Sequence, residues 1–282
     1  MDGGDRGCLQ LAARRLHVGG EVEEQGLRTG LIVGSGVERL AELGEQRRVV
    51  TRFGPVELAV IELGGVEVAV LPRHGFAHTV PPHRVNYRAN ISALVKLGVE
   101  RVLATGAVGS LREELRPGVA VVADDFIDLT RTRPLSLYEG PRVVHADLTE
   151  PFCPELRRCL VEAATRVGLE ARDGGVYVCT EGPRFETPAE VRAYRAMGGD
   201  VVGMTLATEA ALAREAGLCY AALCLVTNMA AGMQSAVTAE EVVEVLGRLG
   251  SRVVEALSEA VKLIPAQRSC SCLRRSGLGG VK

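Results

Sequence analysis

No stretch of this chain approaches the roughly 18 consecutive apolar residues that a membrane-spanning helix needs. The opening residues also lack a continuous apolar signal core, because arginines interrupt "LQLAARRLHV". Charge of one sign is scarce. The 33 basic and 35 acidic residues leave a net charge of −2, which gives no overall pull toward nucleic acid or an anionic membrane. An anionic ligand must therefore be caught by a local site. Eight cysteines are present, yet no C-x-x-C pair or His/Cys group has zinc spacing. These absences predict a reduced, cytoplasmic protein without a metal site, and without a membrane or nucleic-acid partner.

What is present describes a soluble chain with a full core: 47% apolar and 24% charged residues among 282. Cys159, Cys179, Cys219 and Cys224 sit in apolar stretches, where cysteine acts as a small hydrophobe. Cys270 and Cys272, in "RSCSCLRR", read either as part of a flexible reduced tail or as a strained disulfide. Residues 1–28 and 266–282 are polar and unpatterned, so they are read as an N-terminal extension, poorly ordered, and a polar C-terminal tail. Between them, residues 29–265 form a single α/β domain.

Within that domain, short β-type runs alternate with helical ones. "VELAVIELGGVEVAVL" predicts a hairpin around Gly64-Gly65. "NYRANISALVKLG" and "PELRRCLVEAATRVG" predict helices ended by Gly98 and Gly168. Thr187 with Glu190, and Thr238 with Glu241, have the spacing of capping boxes. The unbroken apolar run Ala221–Val226 is read as a buried strand of a parallel sheet. It ends on Thr227 and Asn228, and ligands of open α/β sheets bind at such carboxyl ends.

Other candidates also fall where strands give way to loops. The "GSG" at 34–36 is followed by neither GK[ST] nor a third glycine, so neither a P-loop nor a dinucleotide fingerprint is present. It is either a tight turn or an anion cradle that includes Ser35. Arg73 and His74 follow an apolar run, and the Arg fork suits phosphate; a charged surface loop is the plainer alternative. The small residues of "ATGAVGS", including Gly106 and Ala107, let a ligand approach the backbone. Thr205 precedes a helical run, where free N–H groups attract anions. Glu186 precedes the helix capped by Thr187, and alone it reads equally as a solvated carboxylate. Asn228 alone reads equally as a turn residue. No GxSxG motif or Cys–His pair supplies a nucleophile.

Taken together, "RHGFAHTVPPHRVNYRANI", "GSLREELRPG", "FIDLTRTRP", "EPFCP", "TEGPRFET" and "GMT" with "EAALAREAGLCYA" make residues 29–264 resemble the trimeric-type purine nucleoside phosphorylases, above all their methylthioadenosine phosphorylase branch. The resemblance implies a single-domain α/β nucleoside phosphorylase-like fold with a mixed central sheet flanked by helices. It implies metal-free phosphorolysis of a purine nucleoside to free base and ribose 1-phosphate, with no cofactor and inorganic phosphate as co-substrate. Phosphate would be held by Ser35, Arg73, His74, Gly106, Ala107 and Thr205, with His74 also catalytic. The nucleoside would meet Met204, Met229, Ala230, His78, Ala239 and Val243, plus His145 from a neighbouring subunit of a homotrimer or homohexamer.

That branch typically carries Asp at the position of Asn228 and Ser at that of Glu186. The Asn228/Glu186 pair is similar to phosphorylases of inosine and guanosine, so both residues are expected to be catalytic. Glu186 accepts from the N1–H of a 6-oxopurine, and the Asn228 amide donates to its O6/N7 side. The expected activity is 6-oxopurine nucleoside phosphorolysis in purine salvage. Methylthioinosine phosphorolysis is the alternative and methylthioadenosine phosphorolysis a remoter one. A nucleoside-binding module without turnover is the reading from a different class.

Overall fold

The computed structural model describes residues 27–140 and 143–277. The expected N-terminal extension lies outside these residues except for Leu27 and Arg28. Those two already belong to the body. Leu27 is buried, and the Arg28 carbonyl accepts from the amides of Glu100 and Arg101 at 2.9 and 3.1 Å.

A single mixed sheet of eleven strands organises the described residues. Its first half contains β1 (Thr29–Val33), β2 (Glu45–Thr51), β3 (Gly54–Leu63), β4 (Val66–Pro72) and β5 (Arg101–Ser110). Next in sequence are β6 (Ala120–Val122), β7 (Asp125–Asp128), β8 (Ala171–Asp173), β9 (Val176–Cys179), β10 (Val201–Gly203) and β11 (Cys219–Met229). The path runs β2-β3-β4-β1-β5-β10-β9-β7, while β11 joins β5 to β6 and β8. The β3–β4 hairpin turns at Gly64-Gly65 as its sequence predicts. Both glycines have positive φ, 62° and 81°, which a type I′ turn requires.

Helices cover both faces: α1 (Tyr87–Lys96), α2 (Pro154–Arg166), α3 (Pro188–Ala196), α4 (Leu206–Glu215) and α5 (Ala239–Leu263). Along β11, Tyr220, Ala222, Cys224 and Val226 pack in one core layer with α1 and α4. The alternate residues Cys219, Ala221, Leu223 and Leu225 pack in the other with α2 and α5. A strand buried on both faces needs no polar alternation, which is why this stretch reads as an unbroken apolar run. The α3 capping box forms in full, whereas α5 forms half of its own. Thr238 accepts from the Glu241 amide at 3.2 Å, but the Glu241 carboxylate turns to Gln234 Nε2 at 2.6 Å.

Two expectations are corrected here. The small residues "TGAVGS" do not form a loop after a strand; β5 continues to Ser110 because β11 pairs alongside it throughout. The segment after α5 is not a free polar tail. Cys272 and Ser276 are buried, and the Arg275 carbonyl accepts from the Asp147 amide at 2.8 Å. Cys270 and Cys272 are both free thiols, the reduced one of the two readings of the C-x-C pair.

Candidate active site

The site opens where β5 changes partners. On one side β5 pairs with β1 over Arg101–Ala104 and with β10 at Gly109 and Ser110. Thr105–Val108 pair with neither strand, and there the sheet parts into a cleft of about 910 Å³. Gly106 and Ala107 line it with backbone, so a ligand can lie against the chain.

The floor is built by the ends of β1 and β4. The Gly34 amide donates to Thr105 Oγ1 at 3.0 Å, and Ser35 follows at the rim, beside Gly36 with φ 85°. Arg73 is fully buried. Its Nε and Nη2 bond the Glu209 carboxylate, the latter at 2.9 Å, and Nη1 donates to the Thr105 carbonyl at 3.0 Å. Tyr220 Oη donates to the same carboxylate at 2.7 Å. Three of the five guanidinium N–H donors are thus used inside the protein, leaving two for a ligand. Gly34 permits this packing, since a Cβ there would lie 2.5 Å from Arg73 Nη1.

His74 sits beside Arg73 with Nδ1 2.8 Å from the Val80 carbonyl. A carbonyl only accepts, so Nδ1 carries the proton and Nε2 is an acceptor. Burial, and then the Arg73 charge, depress the pKa of His74 to about 4. It is a neutral acceptor at physiological pH, suited to a hydroxyl of a sugar or of a protonated phosphate. The His78 ring lies 4.9 Å from it, tilted by 43°, and bonds Glu38 at 3.2 Å. That bond raises the His78 pKa despite partial burial, and anchors a backbone with φ 50°.

Thr205, just before α4, is buried on the cleft wall and makes no side-chain capping bond. Met204 forms the adjacent wall. Arg133 fixes it, donating from Nη2 to the Met204 and Glu181 carbonyls at 3.0 and 2.8 Å.

Glu186 and Asn228 both face this cleft. Glu186 Oε1 accepts from Thr180 Oγ1 at 3.1 Å, and its pKa is raised, chiefly by burial. Asn228 lies inside β11, one residue past a bulge at Thr227, and not beyond the strand end. Its Oδ1 is 2.9 Å from Thr227 Oγ1, and its Nδ2 is 3.0 Å from the Met229 carbonyl. That carbonyl can only accept, which fixes which end of the amide is NH₂. One N–H remains for a ligand.

Ala239 and Val243 on α5 line the far wall with Val242 and Leu246. Two expected residues lie off the cleft wall, and His145, expected to reach a neighbouring subunit's site, does not line its own. Met229 donates its amide to Gln234 at 2.9 Å, Ala230 packs in a small core with α3, and His145 is exposed on a loop. The first two are displaced because the Thr227 bulge turns Asn228, and not its successors, toward the opening. Glu209, Arg133 and Thr227 are site residues that the sequence reading missed. A signal existed for the first, since an arginine at the end of an apolar strand requires a carboxylate somewhere.

A wound α/β sheet with anion donors and a carboxylate/amide pair around one cleft at strand carboxyl ends defines a small-molecule site of the nucleotide-handling kind. The chain belongs to the phosphorylase superfamily, whose family model matches residues 28–262. It is 51% identical over 257 residues to a probable 6-oxopurine nucleoside phosphorylase of Moorella thermoacetica, covering 89% of this chain and 98% of that one. It is 48% identical over 249 residues to an S-methyl-5'-thioadenosine phosphorylase of Pyrococcus furiosus, covering 87% and 96%. Among solved structures it is similar to a methylthioadenosine phosphorylase from an antarctic soil metagenomic library. That match has a TM-score of 0.82 at 35% identity, covering 89% of this chain and 91% of that one.

Proposed function

We propose that this protein is a 6-oxopurine nucleoside phosphorylase acting on inosine and guanosine, with phosphate as the nucleophile and no cofactor. One observation carries the choice of base: the Asn228 amide is held with its NH₂ end as the donor. A 6-oxopurine offers acceptors at O6 and N7 and a donor at N1. Asn228 meets the first, and ionised Glu186 meets the second. An adenine edge would set the N6 donor against the amide NH₂ and leave the Glu186 carboxylate without a proton to accept. Each such buried mismatch costs about 1–3 kcal/mol.

Phosphate would rest on Ser35, the free Arg73 N–H groups, the Gly106–Ala107 backbone and Thr205, beneath the sugar. The C1′–N9 bond breaks toward the purine, and its electron pair spreads to N7 and O6, where the Asn228 donor strengthens as charge builds. A phosphate oxygen then bonds C1′, and the proton of HPO₄²⁻ ends on the released base. The P–OH, or a ribose hydroxyl, donates to His74 Nε2. Preorganised donors of this kind supply most of the stabilisation in such a step.

The apolar α5 wall, Val242, Val243 and Leu246, favours a second reading in which the substrate carries a 5′-methylthio group, as in methylthioinosine. A homotrimer or homohexamer, with His145 completing a neighbour's site, and a cytoplasmic setting belong to this proposal. Among the described residues no helix is long and apolar enough to cross a membrane. Phosphate-dependent base release from inosine, guanosine, methylthioinosine and methylthioadenosine tests the reading. The 6-oxopurines should be preferred, and preference for methylthioadenosine would overturn it. A monomeric mass in light scattering would remove the shared site.

A further inference from the structure

The ends of β1 and β4 lie side by side, with Val33 opposite Pro72 in a parallel ladder. The chain leaves both strands in the same direction, so the turns that follow meet at one corner of the cleft. There Oε1 of Glu38 bonds Nδ1 of His78 at 3.2 Å, and both residues line the cleft. A carboxylate only accepts, so Nδ1 carries a proton and the ring is held by it. Nε2 lies across the ring and has no partner among the described residues, and the His78 side chain is 44% exposed.

Neither oxygen of Glu38 is presented to a ligand. Oε1 is engaged by His78, and Oε2 is closed off from solvent without a hydrogen-bond partner among the described residues. Burying a carboxylate oxygen without a donor is costly. His78 adds a φ of 50°, which is uncommon for a residue other than glycine. The corner bears two local costs to keep one imidazole in place, and such costs collect where a site needs a fixed group.

With the base on Asn228 and Glu186 and phosphate on Ser35, Arg73 and Thr205, the sugar between them has one arm left to place, C5′. The wall that remains consists of α5 and the Glu38–His78 corner. These adjoin, since a Cβ on Gly36 would stand 2.8 Å from Leu246. The His78 ring is 4.9 Å from that of His74, which sets it beside the sugar. A hydroxyl suits Nε2 in either protonation state, because it donates to the neutral ring and accepts from the protonated one. A thioether has no proton to donate and is a weak acceptor.

We infer that Glu38 is a positioning residue that aims His78 at the 5′ end of the nucleoside, and that this couple makes the site select a 5′-hydroxyl over a 5′-thioether. This role rests on the phosphorylase reading of the cleft and narrows it to nucleosides such as inosine and guanosine. The apolar α5 wall then shields the 5′ hydrogen bond from water without itself choosing the substituent.

The test is kcat/KM for phosphorolysis of inosine, 5′-deoxyinosine and methylthioinosine by the full-length protein. Inosine should exceed each of the others by about 5- to 150-fold. Glu38→Ala should bring the ratio of inosine to 5′-deoxyinosine toward parity, whereas Glu38→Gln, whose carbonyl still accepts from Nδ1, should keep most of it. His78→Phe should also bring it toward parity. Glu38→Ala added to His78→Phe should change the ratio no further, because Glu38 acts through the ring. General damage to the fold would instead lower all three substrates together. Should Glu38→Ala fail to fold, nitrogen NMR of the unaltered protein in phosphate-free buffer decides the point. Inosine should shift His78 Nε2 and leave Nδ1 protonated, while 5′-deoxyinosine should leave Nε2 where it was. An Nε2 indifferent to inosine, equal turnover of inosine and 5′-deoxyinosine, or a ratio that survives Glu38→Ala overturns the inference. A protein that releases base from all three without preference loses this inference alone, whereas one that phosphorolyses none loses the reading of the cleft with it.

Discussion

Arg73 and Glu209 stand 136 positions apart in the chain and meet as an ion pair with both side chains 1% exposed. The pair joins the end of β4 to the first turn of α4, and Tyr220 and the Thr105 carbonyl complete its hydrogen bonds. The arginine at the floor of the cleft is therefore neutralised by its own protein. Its contribution to an anion is directional: two spare N–H groups held in fixed orientation, without the pull of a free charge.

Removing the carboxylate should destabilise the fold. Glu209→Ala leaves a buried guanidinium uncompensated, a loss of about 3–5 kcal/mol measurable by urea unfolding. If Arg73 did not depend on Glu209, the loss would stay near that of an ordinary surface change.

Gly34→Ala should act on the same arginine from the other side. The added methyl would stand 2.5 Å from Nη1 and 3.2 Å from the Thr105 carbonyl, and retreat would strain the bonds of Arg73 to Glu209 and Thr105. Overpacking of about 1–3 kcal/mol is expected, together with a raised KM for phosphate. An unchanged phosphate KM would mean that Arg73 is not a phosphate ligand.

His74 should stay neutral through the working pH range. With a pKa of about 4 in the fold against 6.5 for the ordinary group, its contribution to stability is complete above pH 6.5. That contribution is lost as pH falls toward 4, because the unfolded chain takes up the proton first. An NMR titration showing an imidazolium at His74 above pH 6 would contradict burial and the Arg73 charge as the determinants of its protonation state.

Glu186 has the opposite sign. Its raised pKa means that ionisation in the fold is unfavourable, so its contribution to stability is present below about pH 4.5 and is lost as pH rises through the folded value. Glu186→Gln should therefore raise Tm at pH 7 and change it little at pH 4. The same substitution should abolish the acid limb of kcat/KM for inosine, which otherwise lies above the ordinary glutamate range.

Base preference should follow the two edge-reading residues. Asn228→Asp should move selectivity toward 6-aminopurines, and Glu186→Ser added to it should move it further. Mismatch energies of about 1–3 kcal/mol correspond to roughly 5- to 150-fold changes in relative kcat/KM. A double variant with unchanged base preference would refute the model.

The sequence by itself determined whatever depends on near neighbours. Helical periodicity, the Thr187 cap, the two-glycine turn and the apolar runs act within a few residues, so they can be read directly. The motif-bearing residues Ser35, Arg73, His74, Thr205, Glu186 and Asn228 were legible for the same reason: five sit at a strand-to-loop or loop-to-helix junction and Asn228 lies just inside the end of β11, and the structure gathers all six around one cleft. Tertiary structure alone decided the rest. The Arg73–Glu209 pair, the tautomer of His74, the passage of β5 through its glycines and the Glu38–His78 bond depend on distances between remote segments and on the loss of water around them. Spacing along the chain records neither. A glutamate after the GSG turn and a histidine past β4 look unrelated until β1 and β4 align side by side and bring them together.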